Sequence, residues 1–266
     1  MKEQNVGSPF RVVLSHVELL YLLHFFGATP AAGVDRDPLA GLSDEQITVA
    51  LETAAAALRA RDLLRFDGDQ QPLLADPLLR VLGAYADPQQ MLSAYRYRVD
   101  AELPLAFFAY VHEGDAVMHS RPADLLHEFS LLGDPSELFP FLAAFCAGGA
   151  LGELTERRLA LPARAVAVAR AHADAGNSQE VMQVLREAGL SELNAQLLAT
   201  DLVAPAALTA MTFLVQQPDT APRRRDFIYW QSERPDSAML LIEQGAEVLI
   251  TDGGVASLAT LINEMV

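Results

Sequence analysis

The C-terminal stretch of the chain, residues 227–266, carries the pattern that most constrains the fold. Apolar and β-branched runs bounded by turn residues predict strands, whereas apolar residues three or four positions apart predict a helix. By these rules residues 227–230, 238–242 and 247–251 are predicted strands, and a helix is predicted to start near Val255. The stretch therefore predicts a small antiparallel sheet followed by a closing helix.

A similar pattern occurs upstream, in residues 105–133. Residues 114–118 match residues 245–249 in pattern, and each run is predicted to lead into a helix. The apolar positions of the upstream helix would be Leu125, Phe129 and Leu132, spaced as Leu258, Ile262 and Met265 are. We therefore predict an α+β fold of two pseudo-repeated halves, each with helices followed by a small antiparallel sheet and a closing helix. Duplication and coincidence in a Leu- and Ala-rich sequence are both compatible with the match.

The N-terminal region has its own sequence of local signals. Ser15 with Glu18, and Ser43 with Gln46, have the spacing of a capping box and predict two helix starts. An Asp-Gly turn at residues 67–68 predicts a hairpin, and Asp-Pro at residues 76–77 predicts the start of another helix. Helix, helix, hairpin and helix in this order resemble a winged-helix unit.

These signals divide the chain into three predicted segments. Residues 1–88 would form the winged-helix-like unit, residues 89–146 the first sheet-plus-helix unit, and residues 147–266 the second half with its helices, sheet and closing helix. A single compact domain that includes all three segments is the alternative.

The net charge of the chain is −16, with a pI near 4.6. Most of the affinity of proteins for nucleic acids comes from Lys and Arg that neutralise phosphates, so an acidic chain is a poor match for nucleic acid or an anionic membrane. A local basic patch could override this total. If the N-terminal unit bound DNA, as in a transcriptional regulator with a C-terminal sensor or dimerisation region, its candidate contacts would be Arg59, Arg61 and Arg65.

The sequence contains no catalytic, cofactor or metal motif that stands out. His112, His119 and His127 lie close together in sequence, but not at a metal-ligand spacing, and we expect them at the surface or the edge of the core. Cys146, the only cysteine, has apolar neighbours and is expected to be a buried thiol. We therefore predict no cofactor, no metal and no enzymatic activity. An enzyme remains an alternative because active sites need no local motif.

The function that the residues favour is binding to another protein. Two antiparallel sheets with exposed edges could accept a partner by strand addition. Three consecutive arginines, Arg223, Arg224 and Arg225, are predicted to lie in a loop and are candidate partner contacts, together with Trp230. The sequence predicts no signal peptide and no spanning helix, so we expect a cytoplasmic protein that does not contact membranes. A homodimer is an open alternative.

Two stretches of the chain resemble the EspG family, the cytosolic chaperones of type VII (ESX) secretion. They are residues 105–132 and residues 227–265, in which antiparallel strands are followed by a helix. The length, the acidity, the Leu- and Ala-rich style and the near absence of lysine, with Lys2 alone, are also similar. The resemblance implies a protein that covers the hydrophobic tip of a secreted partner. It carries no site residue over to this chain.

Overall fold

The computed structural model describes residues 9–25, 27–28, 38–68, 71–147, 158–217, 220–233, 237–254 and 257–260. The chain divides into two compact units. The first unit consists of residues 1–93, 107–138 and 215–222, and the second consists of residues 94–106, 139–214 and 223–266. The predicted segments 1–88, 89–146 and 147–266 stay a prediction, since compactness does not test whether a segment folds alone.

The first unit contains a mostly antiparallel sheet with helices packed on it. Its elements are β1 (Phe10–Ser15), α1 (His16–Phe25), α2 (Asp44–Ala60), β2 (Leu64–Phe66), β3 (Pro72–Leu74), α3 (Asp76–Ala86), the start of β4 (Gln90–Arg98), most of β5 (Leu105–His112), β6 (Asp115–Ser120) and β7 (Leu126–Gly133). The strand order is β1-β7-β6-β5-β4, and β2 and β3 form a separate hairpin. β1 pairs antiparallel with β7 over its whole length, from Phe10 with Leu131 to Ser15 with Leu126.

The local helix signals of the N-terminal region are confirmed. Ser15 Oγ accepts from the backbone N–H of Glu18 at 3.2 Å, and the Glu18 carboxylate accepts from the backbone N–H of Ser15 at 2.6 Å. Ser43 and Gln46 make the same reciprocal pair at the start of α2. Because both bonds of a capping box join residues three apart, the sequence is enough to predict them.

The helix predicted around residues 122–132 is wrong, because this segment forms β7. Leu125, Phe129 and Leu132 have helical spacing, but the segment is a strand, and His127, Phe129 and Leu131 on one of its faces are all buried. Histidine counts as polar in a hydrophobicity pattern, so the buried His127 concealed the two-residue alternation that indicates a strand. β1 was also missed, although Phe10, Val12 and Leu14 alternate along it.

The second unit has its sheet covered by three helices. Its elements are most of α4 (Leu138–Ala147), β8 (Arg158–Pro162), α5 (Ala163–Asp174), α6 (Ser178–Glu187), α7 (Glu192–Val203), β9 (Pro205–Val215), β10 (Arg223–Ser232), β11 (Ala238–Gln244) and β12 (Glu247–Asp252). The strand order is β9-β10-β11-β12-β8. Residues 257–260 are helical after β12. The core joins Ala169, Val181 and Leu198 of the helices to Trp230 and Ile250 of the sheet.

The two halves of the sequence have the same topology. In each half one strand is followed by helices and then by four strands of the sheet, and the first strand pairs with the last; the β2-β3 hairpin is an addition among the helices of the first half. The order β1-β7-β6-β5-β4 thus corresponds to β8-β12-β11-β10-β9. The sequence match was one strand out of register, since Gly114 precedes the third of the four strands and Gly245 precedes the fourth. The α+β fold with two pseudo-repeated halves is confirmed.

Candidate protein-binding surface

The hairpin between β4 and β5 exposes an unusual number of apolar side chains. Val99 is 75% exposed, Leu103 79% and Leu105 55%. Tyr97, on the preceding strand, is about half exposed. Monomeric proteins rarely leave several large apolar side chains clustered in water, and such patches mark contacts with a partner. All four residues belong to the second unit.

The hairpin is held in place by hydrogen bonds within its turn and by one to Ala206 of β9. The backbone N–H of Val99 donates to the Ala206 carbonyl at 3.4 Å, and the backbone N–H of Ala101 donates to the Arg98 carbonyl at 3.3 Å. The Arg98 guanidinium forms a two-pronged ion pair with the Asp100 carboxylate, at 2.9 and 2.5 Å. The apolar side chains are therefore displayed on an ordered turn.

A cavity of about 680 Å³ opens at the base of this hairpin. Val99, Leu105 and Ala206 contribute apolar walls, and Arg96 contributes a cation. Only 7% of Arg96 is exposed. Its Nη1 donates to the carbonyls of Phe145 and Cys146, and its Nη2 donates to Gln231 Oε1 at 2.8 Å. Burial lowers the pKa of Arg96, but arginine stays protonated in proteins, so the cavity contains a buried positive charge.

A second pocket, of about 320 Å³, lies between α5 and the sheet of the second unit. Its lining is almost entirely apolar and includes Val166, Leu208 and Trp230. The Arg170 guanidinium lies 4.5 Å from the centre of the Trp230 ring, which is a cation–π arrangement. The Trp230 indole N–H donates to the Asp201 carbonyl at 2.8 Å. Trp230, a predicted partner contact, is thus a largely buried wall of a pocket and is 3% exposed.

The three consecutive arginines are not in a loop, because β10 begins at Arg223. Side chains alternate along a strand, so Arg224 is on the face of β10 that carries Asp226 and Trp230, whereas Arg223 and Arg225 are on the opposite face. Arg224 Nε donates to Asp226 at 2.9 Å, and the Thr212 hydroxyl donates to Asp226 Oδ1 at 2.6 Å. Burial raises the pKa of Asp226, but these hydrogen bonds outweigh it and lower the pKa overall. Asp226 lines the second pocket, so the structure brings Arg224 to its edge.

The candidate DNA contacts are all engaged within the first unit. Arg61 donates to the Glu18 carboxylate at 2.5 Å and to the Val13 carbonyl at 2.7 Å. Arg65 pairs with Asp62 at 3.2 Å, and the Arg59 guanidinium lies 5.9 Å from the Phe66 ring centre. These contacts give Arg61 a structural role, whereas the Arg65–Asp62 pair is exposed. DNA binding by these residues stays a prediction.

Three histidines form a cluster that the sequence did not reveal. His16, His119 and His127 are all buried in the first unit, whereas His119 and His127 were expected at the surface or the edge of the core. His119 Nδ1 is 3.2 Å from the Tyr110 hydroxyl, and the His16 and His127 rings meet edge to face at 4.9 Å. Burial, His127 and Arg121 lower the pKa of His119 to about 3. Within the described residues, His, Cys, Asp and Glu side chains nowhere form a group that could hold a metal.

Cys146 and Gly253 also have structural explanations. Cys146 is buried as predicted, and burial raises the pKa of its thiol to about 12, so the thiol stays protonated. Gly253, in the Asp-Gly-Gly turn, directs its backbone N–H to the Ala238 carbonyl at 2.9 Å and packs tightly against the Tyr229 ring. That N–H is therefore committed to the turn. Of the helices that the structure describes, none has the length and apolar content needed to cross a membrane.

The repeated topology places the chain in the α+β class, with two related halves. The chaperone EspG5 of Mycobacterium tuberculosis, solved in complex with the PE25–PPE41 dimer, is similar over 96% of this chain and 95% of that chain. The TM-score is 0.70 and the sequence identity is 12%. The resemblance to the EspG family is confirmed at the level of the fold. No model of a known protein family matches the sequence, and neither does any curated protein.

Proposed function

We propose that this chain is a non-enzymatic chaperone or adaptor that binds an apolar segment of another protein in the cytosol before that protein is secreted. The observation that carries the proposal is the ordered hairpin with Val99, Leu103 and Leu105 in water. Burial of apolar area stabilises a complex by about 25 cal/mol per Å² before the costs of association. A partner that covers these side chains therefore gains affinity from apolar surface that is otherwise left in water.

The whole-chain likeness to EspG5, which was solved with a PE–PPE dimer, supports a specific class of partner. We propose a heterodimer of the PE–PPE type as the client. The high net negative charge of this chain, −16, would limit self-association while the client is bound.

The test is co-expression of this chain with PE–PPE pairs from the same genome, followed by co-purification and size-exclusion chromatography. The wild-type chain is expected to elute with one pair in a stoichiometric complex. A variant with Val99, Leu103 and Leu105 all changed to serine should lose the complex. The matched control is Leu193→Ser on α7, which also removes a 65% exposed leucine, and this variant should keep the complex.

Two outcomes would contradict the proposal. One is a complex that survives the triple change, which would place the client elsewhere. The other is the absence of any complex with every PE–PPE pair of the genome. The thermal unfolding temperature of each variant should match that of the wild type, because the substituted side chains are exposed, and this comparison separates loss of binding from loss of fold.

A further inference from the structure

The buried guanidinium of Arg96 lacks an acidic partner. All of its hydrogen bonds within the described part of the chain go to neutral oxygens, namely two carbonyls and the amide of Gln231. The two carbonyls, those of Phe145 and Cys146, belong to the last turn of α4, where the helix dipole places partial negative charge. The helix C-terminus lowers the free-energy cost of burying the Arg96 cation, but no negatively charged side chain neutralises its charge within the described residues.

The bonds that Arg96 makes leave two of its guanidinium N–H donors unused. An arginine has five N–H donors. Nη1 uses its donors on the two carbonyls, and one Nη2 donor goes to Gln231. The donors that remain are Nε–H and the second Nη2–H, which none of the described residues accepts. A carboxylate can accept from two such donors at once, and this paired geometry is the strongest hydrogen-bonded contact that arginine makes.

The other charges around the cavity do not satisfy Arg96. Arg98 and Asp100 line it as a pair and neutralise one another. Glu233 also lines it, but its side chain is exposed and is therefore screened by water. The apolar walls come from Val99, Leu105 and Ala206, of which the first two belong to the exposed hairpin. The cavity thus combines a buried cation with apolar surface that continues onto the proposed binding hairpin.

We propose that this cavity binds the carboxylate of an aspartate or glutamate on the apolar client segment that covers the hairpin. Nε–H and Nη2–H of Arg96 donate to the two carboxylate oxygens, while Val99 and Leu105 contact the apolar neighbours of the acidic residue. The identity of the occupant rests on the proposed function. Carboxylate recognition by the cavity does not, and it is tested without the client.

The test uses two small probes of nearly equal shape, 4-methylpentanoate and 4-methylpentanamide, titrated into the full-length chain and followed by NMR or calorimetry. The acid should bind about tenfold more tightly than the amide, because hydrogen bonds to a charged group are stronger than those between neutral groups. Arg96→Gln should abolish this preference. The control Arg186→Gln removes an arginine that pairs with Glu192 at 2.9 Å elsewhere in the second unit, and it should keep the preference.

Arg96→Gln could unfold the second unit, so a second variant leaves Arg96 and its bonds in place. Ala206→Leu puts a larger side chain into the cavity wall and should weaken the binding of both probes without changing the unfolding temperature. Equal affinity for acid and amide, no binding of either probe up to its solubility limit, or affinities for both probes that Ala206→Leu leaves unchanged would overturn the proposal. A client complex without acid preference would refute this site alone, and acid preference without a client complex would refute the proposed function alone.

Discussion

His119 Nε2 lies 2.9 Å from Nδ1 of His127 in the core of the first unit. Two buried imidazoles at this distance share a single proton between their facing nitrogens, so one ring donates and the other accepts. Tyr110 lies on the other side of His119, and the Phe129 ring stacks on it at 4.5 Å. The cluster is therefore built for neutral histidines.

The first prediction concerns acid stability. The pKa of His119 is about 3 in the folded chain against an ordinary value of 6.5, so the folded state binds fewer protons than the unfolded state between these values. The stabilisation is present above pH 6.5 and is lost as the pH falls towards 3. By linkage the free energy of unfolding should fall by about 2 kcal/mol between pH 7.5 and pH 5. Urea unfolding at the two pH values measures this.

A matched pair of histidine variants isolates the source of that pH dependence. His119→Gln should be less stable at pH 7.5 but should lose much of the dependence, because its side chain does not titrate. His24→Gln, at an exposed position of α1, should retain the wild-type dependence. An equal pH dependence in both variants would show that other groups are responsible.

The second prediction separates a structural arginine from a surface arginine. Arg61 donates hydrogen bonds to the carboxylate of Glu18 and to the Val13 carbonyl. Glu18 is only 7% exposed. Arg61→Ala should lower the free energy of unfolding by about 1–3 kcal/mol, because it leaves a buried charge less satisfied. Arg65→Ala removes an exposed pair and should change it by less than about 0.5 kcal/mol. If the two variants were equally stable, the structural role of Arg61 would be wrong.

The third prediction concerns the turn after β12. A Cβ on Gly253 would lie 2.8 Å from Cε2 of Tyr229 and 3.0 Å from the backbone of Ala238. Gly253→Ala should therefore lower the free energy of unfolding by about 1–3 kcal/mol through overpacking. A Cβ on Gly254 would have no atom within 4 Å, so Gly254→Ala is the matched control and should be close to neutral. Denaturant unfolding measures the free energy of unfolding of both variants. A Gly253→Ala variant as stable as the wild type would refute the steric explanation.

The fourth prediction concerns the N-terminal segment. Val12 and Leu14 of β1 are buried, and β1 pairs only with β7 among the described strands. A fragment of residues 1–88 lacks β7, so it should give a poorly dispersed NMR spectrum. A fragment of residues 1–138 includes β7 and should show more dispersed amide signals. A well-dispersed spectrum from residues 1–88 would instead support an independent winged-helix-like domain.

The sequence predicted those parts of the fold whose causes are local. The capping pairs at Ser15 and Ser43 join residues three apart, and the hairpin turn after Phe66 depends on its own Asp-Gly pair. The resemblance of the two halves was also visible, although its register was shifted by one strand. These features depend only on residues that are close in sequence, so the α+β class with repeated halves could be predicted.

The candidate site could not be predicted in the same way, because its properties arise from residues far apart in sequence. Arg96 is buried only because α4 and Gln231 surround it, at separations of about 50 and 135 positions. Similarly, His127 is apolar in effect only because it stacks among aromatic rings. The exposure of Val99, Leu103 and Leu105 could not be predicted from the sequence, since apolar residues in and beside a hairpin are normally covered by other parts of the fold.

The division of the chain into compact units has a consequence for its synthesis. The first unit needs residues 215–222 and the second needs residues 94–106, so each unit is assembled from segments that the ribosome releases at very different times. The first unit is incomplete until residue 222 has emerged, when most of the second unit has already been made. A premature stop before residue 215 would therefore leave both units incomplete. Products truncated before residue 215 should therefore be less stable than the complete chain and more readily degraded by proteases.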